Sequence, residues 1–323
     1  MNTRNLFYLL ISSLLIFVLS SEALSQGKYP TREIQLVIPN PAGGFIDINV
    51  RLMKDTLEKN LGVPIIVNNR TGAGGVTGTE YLIKSKPDGY TFGAISSANV
   101  VLGPATMSAL PYKYSDLDPL CKYVQDPTIL FCKGEAPWKA LEELVADGKK
   151  RPGQITYGAT TRSVSHFVME DFLSTSGVTM LHVPLAGAID TLTRILGGNL
   201  DIGVSSLASL NPQLRAGTIR ALFVTTPERI SIFPQIPTLR EKGYPVPVIT
   251  LTAGFFAPPK MSKSIRETLE EALEKTINDP GVKKKLEEMG TVWEYLPSGP
   301  FAKGIEESYK RVITFVKTTE VQK

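Results

Sequence analysis

Short apolar runs alternate with amphipathic stretches along almost the whole chain, and no other feature constrains the fold as much. Ile34 to Ile38, Val63 to Val67 and Tyr90 to Ile95 read as strands, with helices over Ile46 to Asn60 and around Tyr81, Leu82 and Ile83. Alternation at this spacing requires crossover connections, so it predicts a mostly parallel sheet with helices on its faces. The pattern continues with helices over Pro137 to Lys150, Ala188 to Leu196 and Ser264 to Asn278, a helix holding Phe167 and Phe172, and a final one over Phe301 to Phe315. Strands fall at Gln154 to Gly158, Met180 to Val183, Leu200 to Val204, Ile219 to Thr225, Val248 to Phe256 and Val292 to Leu296. The Pro-rich passage from Pro227 to Pro247 reads as irregular chain between lobes.

The joints of this alternation have their own chemistry. Leu36 to Asp47 runs from an apolar strand through Pro39-Asn40-Pro41-Ala42-Gly43-Gly44 into a helix with Ile48, Leu52, Met53 and Leu57 near helical spacing. Proline sets the loop's direction, the paired glycines let backbone N–H groups approach a ligand closely, and a helix N-terminus behind them attracts an anion. A carboxylate held there is one reading; an ordinary strand-to-helix turn is the other. Further strand-end loops rich in Gly and hydroxyl residues occur at 72–78, 96–99, 160–165 and 205–206. Converging on one cleft, they would form a polar, anion-friendly pocket without reactive groups. Ser97, Thr160, Thr161, Ser163 and Ser205 are therefore candidate ligand contacts. Arg162 is the cation in these loops suited to a second carboxylate, or else a solvent-exposed Arg.

At 323 residues the chain is long enough for one large or two medium domains. A net charge of +4 is mild, and without a dense basic cluster interleaved with aromatics it points away from nucleic acid. Arg4, the 14-residue apolar run Leu6 to Leu19 and the small residues Ala23 and Ser25 predict a cleavable signal peptide over 1–25. The apolar run is short for a membrane span, so a soluble, exported, periplasmic protein is expected. Export permits a disulfide, and Cys121 and Cys132 flank Asp126-Pro127 between two apolar runs. Were these runs an antiparallel hairpin, the two cysteines would face each other at disulfide distance. Two buried free thiols are the other outcome.

Catalytic machinery is thin. There is no G-x-S-x-G elbow, no H-E-x-x-H and no Walker loop. His166 opens a helix behind a polar loop and could meet a ligand or make a structural hydrogen bond; His182 alternates with Leu181 and Val183 in a strand. The Gly72 to Gly78 run follows the second strand rather than the first and lacks the acidic residue that a dinucleotide ribose needs, so no nucleotide cofactor is expected. No His or acidic cluster accompanies the cysteines, so no metal is expected either.

One family combines these motifs. The chain resembles the tripartite tricarboxylate transporter substrate-binding proteins, the Bug or TctC family. The likeness rests on Tyr29-Pro30-Thr31-Arg32, Pro39-Asn40-Pro41-Ala42-Gly43-Gly44 with Asp47, Val67-Asn68-Asn69-Arg70-Thr71-Gly72-Ala73-Gly74-Gly75 and Pro87-Asp88-Gly89-Tyr90-Thr91. It continues through Arg151-Pro152-Gly153, Ser165-His166, His182-Val183-Pro184, Gly197-Gly198-Asn199-Leu200-Asp201 and Ala216-Gly217-Thr218-Ile219-Arg220. The resemblance implies an α/β fold like the type II periplasmic binding proteins: two α/β lobes joined by a hinge, with a ligand cleft between them. Lobe 1 would hold 28–124 plus 249–323 and lobe 2 125–248. It further implies a non-enzymatic, monomeric receptor that hands a small organic carboxylate to membrane permease subunits, with no cofactor. The ligand carboxylate would meet backbone groups at Ala42, Gly43 and Gly44, partly through water fixed by Asp47, with Thr160 to Ser165 contributed by lobe 2. A ligand sensor for a signalling receptor is the rival within this fold, and an exported α/β hydrolase using His166 the rival outside it. Asn40 and Phe45 intrude on the family's first loop, Phe45 as a ligand stack or a shield. Arg162 replaces a small residue, and Ser205 stands where a second acid is common. That exchange of charge predicts a more anionic or differently shaped ligand.

Overall fold

The computed structural model describes residues 29–161, 163–245 and 249–321. The expected signal peptide and Arg162 lie outside them. Among the described residues eleven strands build two sheets, flanked by nine helices of eight residues or more. The first sheet has the order β11-β4-β10-β3-β1-β2, from β1 (Ile34–Ile38), β2 (Ile65–Asn69), β3 (Thr91–Ser96), β4 (Asp118–Asp126), β10 (Leu251–Ala257) and β11 (Val292–Pro297). The second runs β7-β6-β8-β5-β9, from β5 (Thr128–Lys133), β6 (Thr156–Ala159), β7 (Leu181–Pro184), β8 (Ile202–Ser206) and β9 (Ile219–Val224). In each sheet three strands run parallel, β2-β1-β3 and β7-β6-β8, while the strands on either side of the lobe crossing are antiparallel to their neighbours.

β1 is buried at four of its five positions, as a parallel strand covered on both faces must be. One face carries α1 (Phe45–Leu61), which turns Val50, Met53 and Leu57 onto Ile34, Leu36 and Phe92. α1 stops where expected: Gly62 takes the left-handed conformation, φ 73°, and its N–H closes on the Glu58 carbonyl. α7 (Lys263–Ile277) and α8 (Pro280–Glu288) pack on the same face. α2 (Val76–Ile83) and α9 (Ser298–Val321) cover the other. The second sheet is flanked by α3 (Leu141–Lys150), α4 (Val164–Ser176), α5 (Ala188–Leu196) and α6 (Leu207–Arg215). One apolar cluster reaches from Leu130 and Tyr157 in the second sheet to Ile95, Phe256 and Phe301 in the first lobe, so the lobes share a base. Among the described residues no helix is long and apolar enough to cross a membrane.

The hairpin and its disulfide are not formed. Pro127 carries the chain out of the first sheet into the second, so β4 pairs with β10 and β11 and β5 with β8 and β9. Cys121 and Cys132 therefore lie in different sheets, each free and fully buried. An apolar-turn-apolar pattern has the same appearance whether the strands fold back on one another or part company at the turn.

Candidate functional site

The parallel strands end on loops that lead into helix N-termini, the edge at which open α/β sheets bind ligands. The Asn40 to Gly44 loop is held by Asp47. Only 2% exposed, its carboxylate accepts from Gly43 N at 2.8 Å, from Asn69 Nδ2 at 3.0 Å and from Arg51 Nε at 2.9 and 3.0 Å. Burial alone would raise the pKa of Asp47. The hydrogen bonds from Arg51, Gly43 and Asn69 outweigh that and hold it below the ordinary carboxylate value. Asn69 Nδ2 also reaches the Asn40 carbonyl at 3.0 Å, and Arg51 Nη2 reaches Asn69 Oδ1 at 3.1 Å. The Asp47 oxygens are thus occupied by the protein, and its effect is to fix the loop. Gly44 N closes on Pro41 O, and no side chain caps α1, which leaves the first-turn N–H groups from Phe45 open. Ala42 and Gly43 are exposed, while Phe45 packs against the lobe 1 core.

The second Gly-rich loop is tied down by Asn99. Its Nδ2 donates to Gly74 O at 2.8 Å, its Oδ1 accepts from Ser96 Oγ at 3.2 Å, and its carbonyl accepts from Tyr112 OH at 3.0 Å. The loop comes so close that a Cβ on Gly75, at φ +100°, would stand 2.5 Å from Asn99 Nδ2. Its turn takes up the N–H groups of Gly75, Val76 and Thr77 internally, which leaves those of Ala73 and Gly74. The two Gly loops also touch, for a Cβ on Gly78 would lie 3.0 Å from Pro39 Cα.

On the second lobe, Ser163 caps α4 by accepting from His166 N at 3.2 Å, and its carbonyl takes Phe167 N, leaving the N–H groups of Val164 and Ser165. Thr160 and Thr161 are exposed on the same loop. The decisive juxtaposition is between lobes. Ala73, Gly74 and Val76 from lobe 1 line one cavity of about 490 Å³ with Ser163, Val164 and Ser165 from lobe 2 and Leu251 of the crossing strand β10. Two sets of backbone donors, one per lobe and without partners among the described residues, therefore meet at one cavity.

The other expected contacts have local duties. Ser97 Oγ donates to Thr250 O at 2.8 Å and accepts from Thr252 N at 3.1 Å, tying β3 to β10. His166 stacks on His182, with ring centroids 4.2 Å apart, and approaches Glu170 to 3.7 Å. Ser205 is buried at the end of β8 opposite Ile129. Its neighbour Ser206 donates to Asp126, a buried carboxyl at the lobe crossing that desolvation pushes up to about 7, against the hydrogen bonds from Ser206 and Ala208 N. Arg51, Asn69, Asn99 and Asp126 were not singled out as site residues from the sequence. Asn69 lay in a motif that carries the resemblance and Asn99 in the 96–99 loop, while Arg51 stands four positions after Asp47 on one helix face.

The model of the family described as "Tripartite tricarboxylate transporter family receptor" matches residues 49–321. The chain belongs to this family. Protein BugT of Bordetella pertussis is 33% identical over 258 residues, covering 78% of this chain and 79% of that one. Two solved structures from Rhodopseudomonas palustris are similar. MatC with bound malate is 25% identical, covering 88% of this chain and 99% of its own, with a TM-score of 0.71. Rpa4515 with adipate is 26% identical, covering 90% and 98%, with a TM-score of 0.77. The family's architecture, two α/β lobes of a periplasmic binding fold, is the one seen here. Its members are solute-binding proteins rather than enzymes.

Proposed function

We propose that this protein captures a small organic carboxylate between its lobes in the periplasm and delivers it to a tripartite tricarboxylate-type permease. One observation carries the reading: unpartnered N–H groups at Ala73 and Gly74 and at Val164 and Ser165 line the same interlobe cavity. Fixed amide dipoles from both lobes favour an anion, and an anion touching both binds the closed state better than the open one. Malate and adipate in two structurally similar family members support a carboxylate as that anion. Residues 28–124 plus 249–323 would form one moving body and 125–248 the other, hinged at Pro127 and near Ile249. The Asn40 to Asp47 loop and Thr160 to Ser165 would supply the ligand's anionic contacts.

The test is native mass spectrometry of gently purified protein, followed by thermal shifts with mono-, di- and tricarboxylates. A co-purified acid, or a shift of several degrees with one of them, supports the reading. No mass adduct and no shift with any carboxylate would remove it.

A further inference from the structure

We infer that the protein has a second binding site, for a small aliphatic amine, between the end of β4, the start of β11 and the segment from Thr226 to Ile232. A cavity of about 320 Å³ lies there and shares no lining residue with the cavity proposed for the carboxylate. Its wall joins Gln125 at the crossing, Glu287 and Thr291 of lobe 1, and Thr226 and Glu228 of lobe 2.

The polar groups on that wall are left open. Thr226 and Thr291 are 5% and 2% exposed, and neither hydroxyl has a hydrogen-bond partner among the described residues. Gln125 is 7% exposed; its amide makes no hydrogen bond among the described residues yet is not sealed from solvent, so it opens onto the cavity that it lines. A buried polar group without a partner is costly, and three at one wall point to a common partner.

Charge selects the kind of partner. Arg229, on the same wall, donates to both Glu241 oxygens at 2.8 and 2.9 Å, and Glu294 meets Lys122. Lys283 lies over the Trp293 ring, 3.7 Å from its centroid, and is not among the lining residues. Glu228 and Glu287 form no ion pair among the described residues, so the unpaired charge on the wall is negative. An ammonium donates three hydrogen bonds and accepts none, which suits two carboxylates, two hydroxyls and an amide oxygen. Ile230, Val292 and Trp293 offer an apolar side to its methylene stem. A metal ion fits less well, because no group of three or more His, Cys, Asp or Glu side chains among the described residues is placed to hold one.

Isothermal titration of the whole protein with 1,4-diaminobutane, against potassium chloride at equal ionic strength, is expected to show saturable one-to-one binding. Thr291→Val keeps the shape of the side chain and removes only the unpartnered hydroxyl. It is expected to fold with an unchanged or higher melting temperature and to bind the amine at least tenfold more weakly. Glu228→Gln and Glu287→Gln, both at exposed positions, are expected together to weaken binding as far. No saturable binding of the amine, binding that these substitutions leave unchanged, or calcium bound more tightly than the amine overturns the inference. The carboxylate test reads the other cavity, so its failure leaves this site standing and failure here leaves the carboxylate receptor standing.

Discussion

Two aspartates show how one residue type serves opposite ends in this chain. Asp47 is buried but receives hydrogen bonds from Arg51, Asn69 and Gly43 N, so its charged form is the stable one in the fold. Its stabilising effect is present above the ordinary carboxylate pKa and is lost as pH falls through its lowered folded value. Asp47→Ala is expected to cost roughly 2–4 kcal/mol at pH 7 and to weaken carboxylate binding by loosening the Gly43 loop; Arg51, half exposed, rehydrates and keeps the loss from being larger. Urea titration and calorimetry check both effects. Asp126 is buried with one oxygen, Oδ1, without a hydrogen-bond partner among the described residues. Its folded pKa, raised from 3.8 to about 7, means the fold prefers its protonated form. Stability from this group is full below pH 4 and declines as pH rises toward 7, by at most on the order of 4 kcal/mol. Asp126→Asn is expected to raise the melting temperature at pH 8 and leave it nearly unchanged at pH 4. Equal effects at both pH values would contradict the assignment. Asp47 was named through the family resemblance, as the holder of a ligand water; its hydrogen bonds from Gly43, Arg51 and Asn69 were not read from the sequence. Asp126 was not legible as a site residue, since its burial depends on Ser206, 80 residues away.

Strands and helices were legible wherever periodicity was local. β1 falls on Ile34 to Ile38 as read, and α5 on Ala188 to Leu196. α6 was missed because Pro212 and Asn211 lie inside it, poor helix formers that the packing of Leu207 and Leu210 outweighs. The β4–β5 pairing was misread because pairing partners are set by the whole sheet. That correction has a direct check: Ellman's reagent is expected to find no reactive thiol in the native protein and two after denaturation, with reductant leaving the melting temperature unchanged. The loops were legible as Gly-rich, but not the side chain that holds each in place. Gly75→Ala combines a disfavoured φ with a Cβ pressed against Asn99. It is expected to cost about 1–3 kcal/mol and to lower carboxylate affinity at least tenfold, since Asn99 can no longer fix Gly74. By contrast, a Cβ on Gly43 meets nothing within 4 Å, so Gly43→Ala pays the backbone strain alone, about 1 kcal/mol.

At the scale of the molecule, the question is what lets two lobes with a shared base move. The chain crosses from the first sheet to the second at Pro127 and returns to the first at β10, whose Leu251 pairs with Asp126 and lines the cavity. In the proposed function the lobes would rotate about these crossings, where the backbone lies at strand ends, above the apolar cluster that they share. In that reading an open state would expose both sets of N–H groups to water, and a bound carboxylate would replace that water with one anion shared by both lobes. Closure therefore depends on the ligand touching both sides, and blocking either side should prevent it. Ser165→Pro removes one N–H and the hydroxyl from the lobe 2 set, and proline is tolerated in the first turn of a helix such as α4. Small-angle scattering is expected to show the native protein contracting on saturation with its carboxylate and the variant keeping its open dimensions at the same ligand excess. In the native protein, ligand at a hundred times its Kd adds about 2.7 kcal/mol of stability, and the variant should lose most of that gain. If the variant closes and is stabilised as the native protein is, the lobe 2 donors are not part of the grip, and the anion rests on lobe 1 alone.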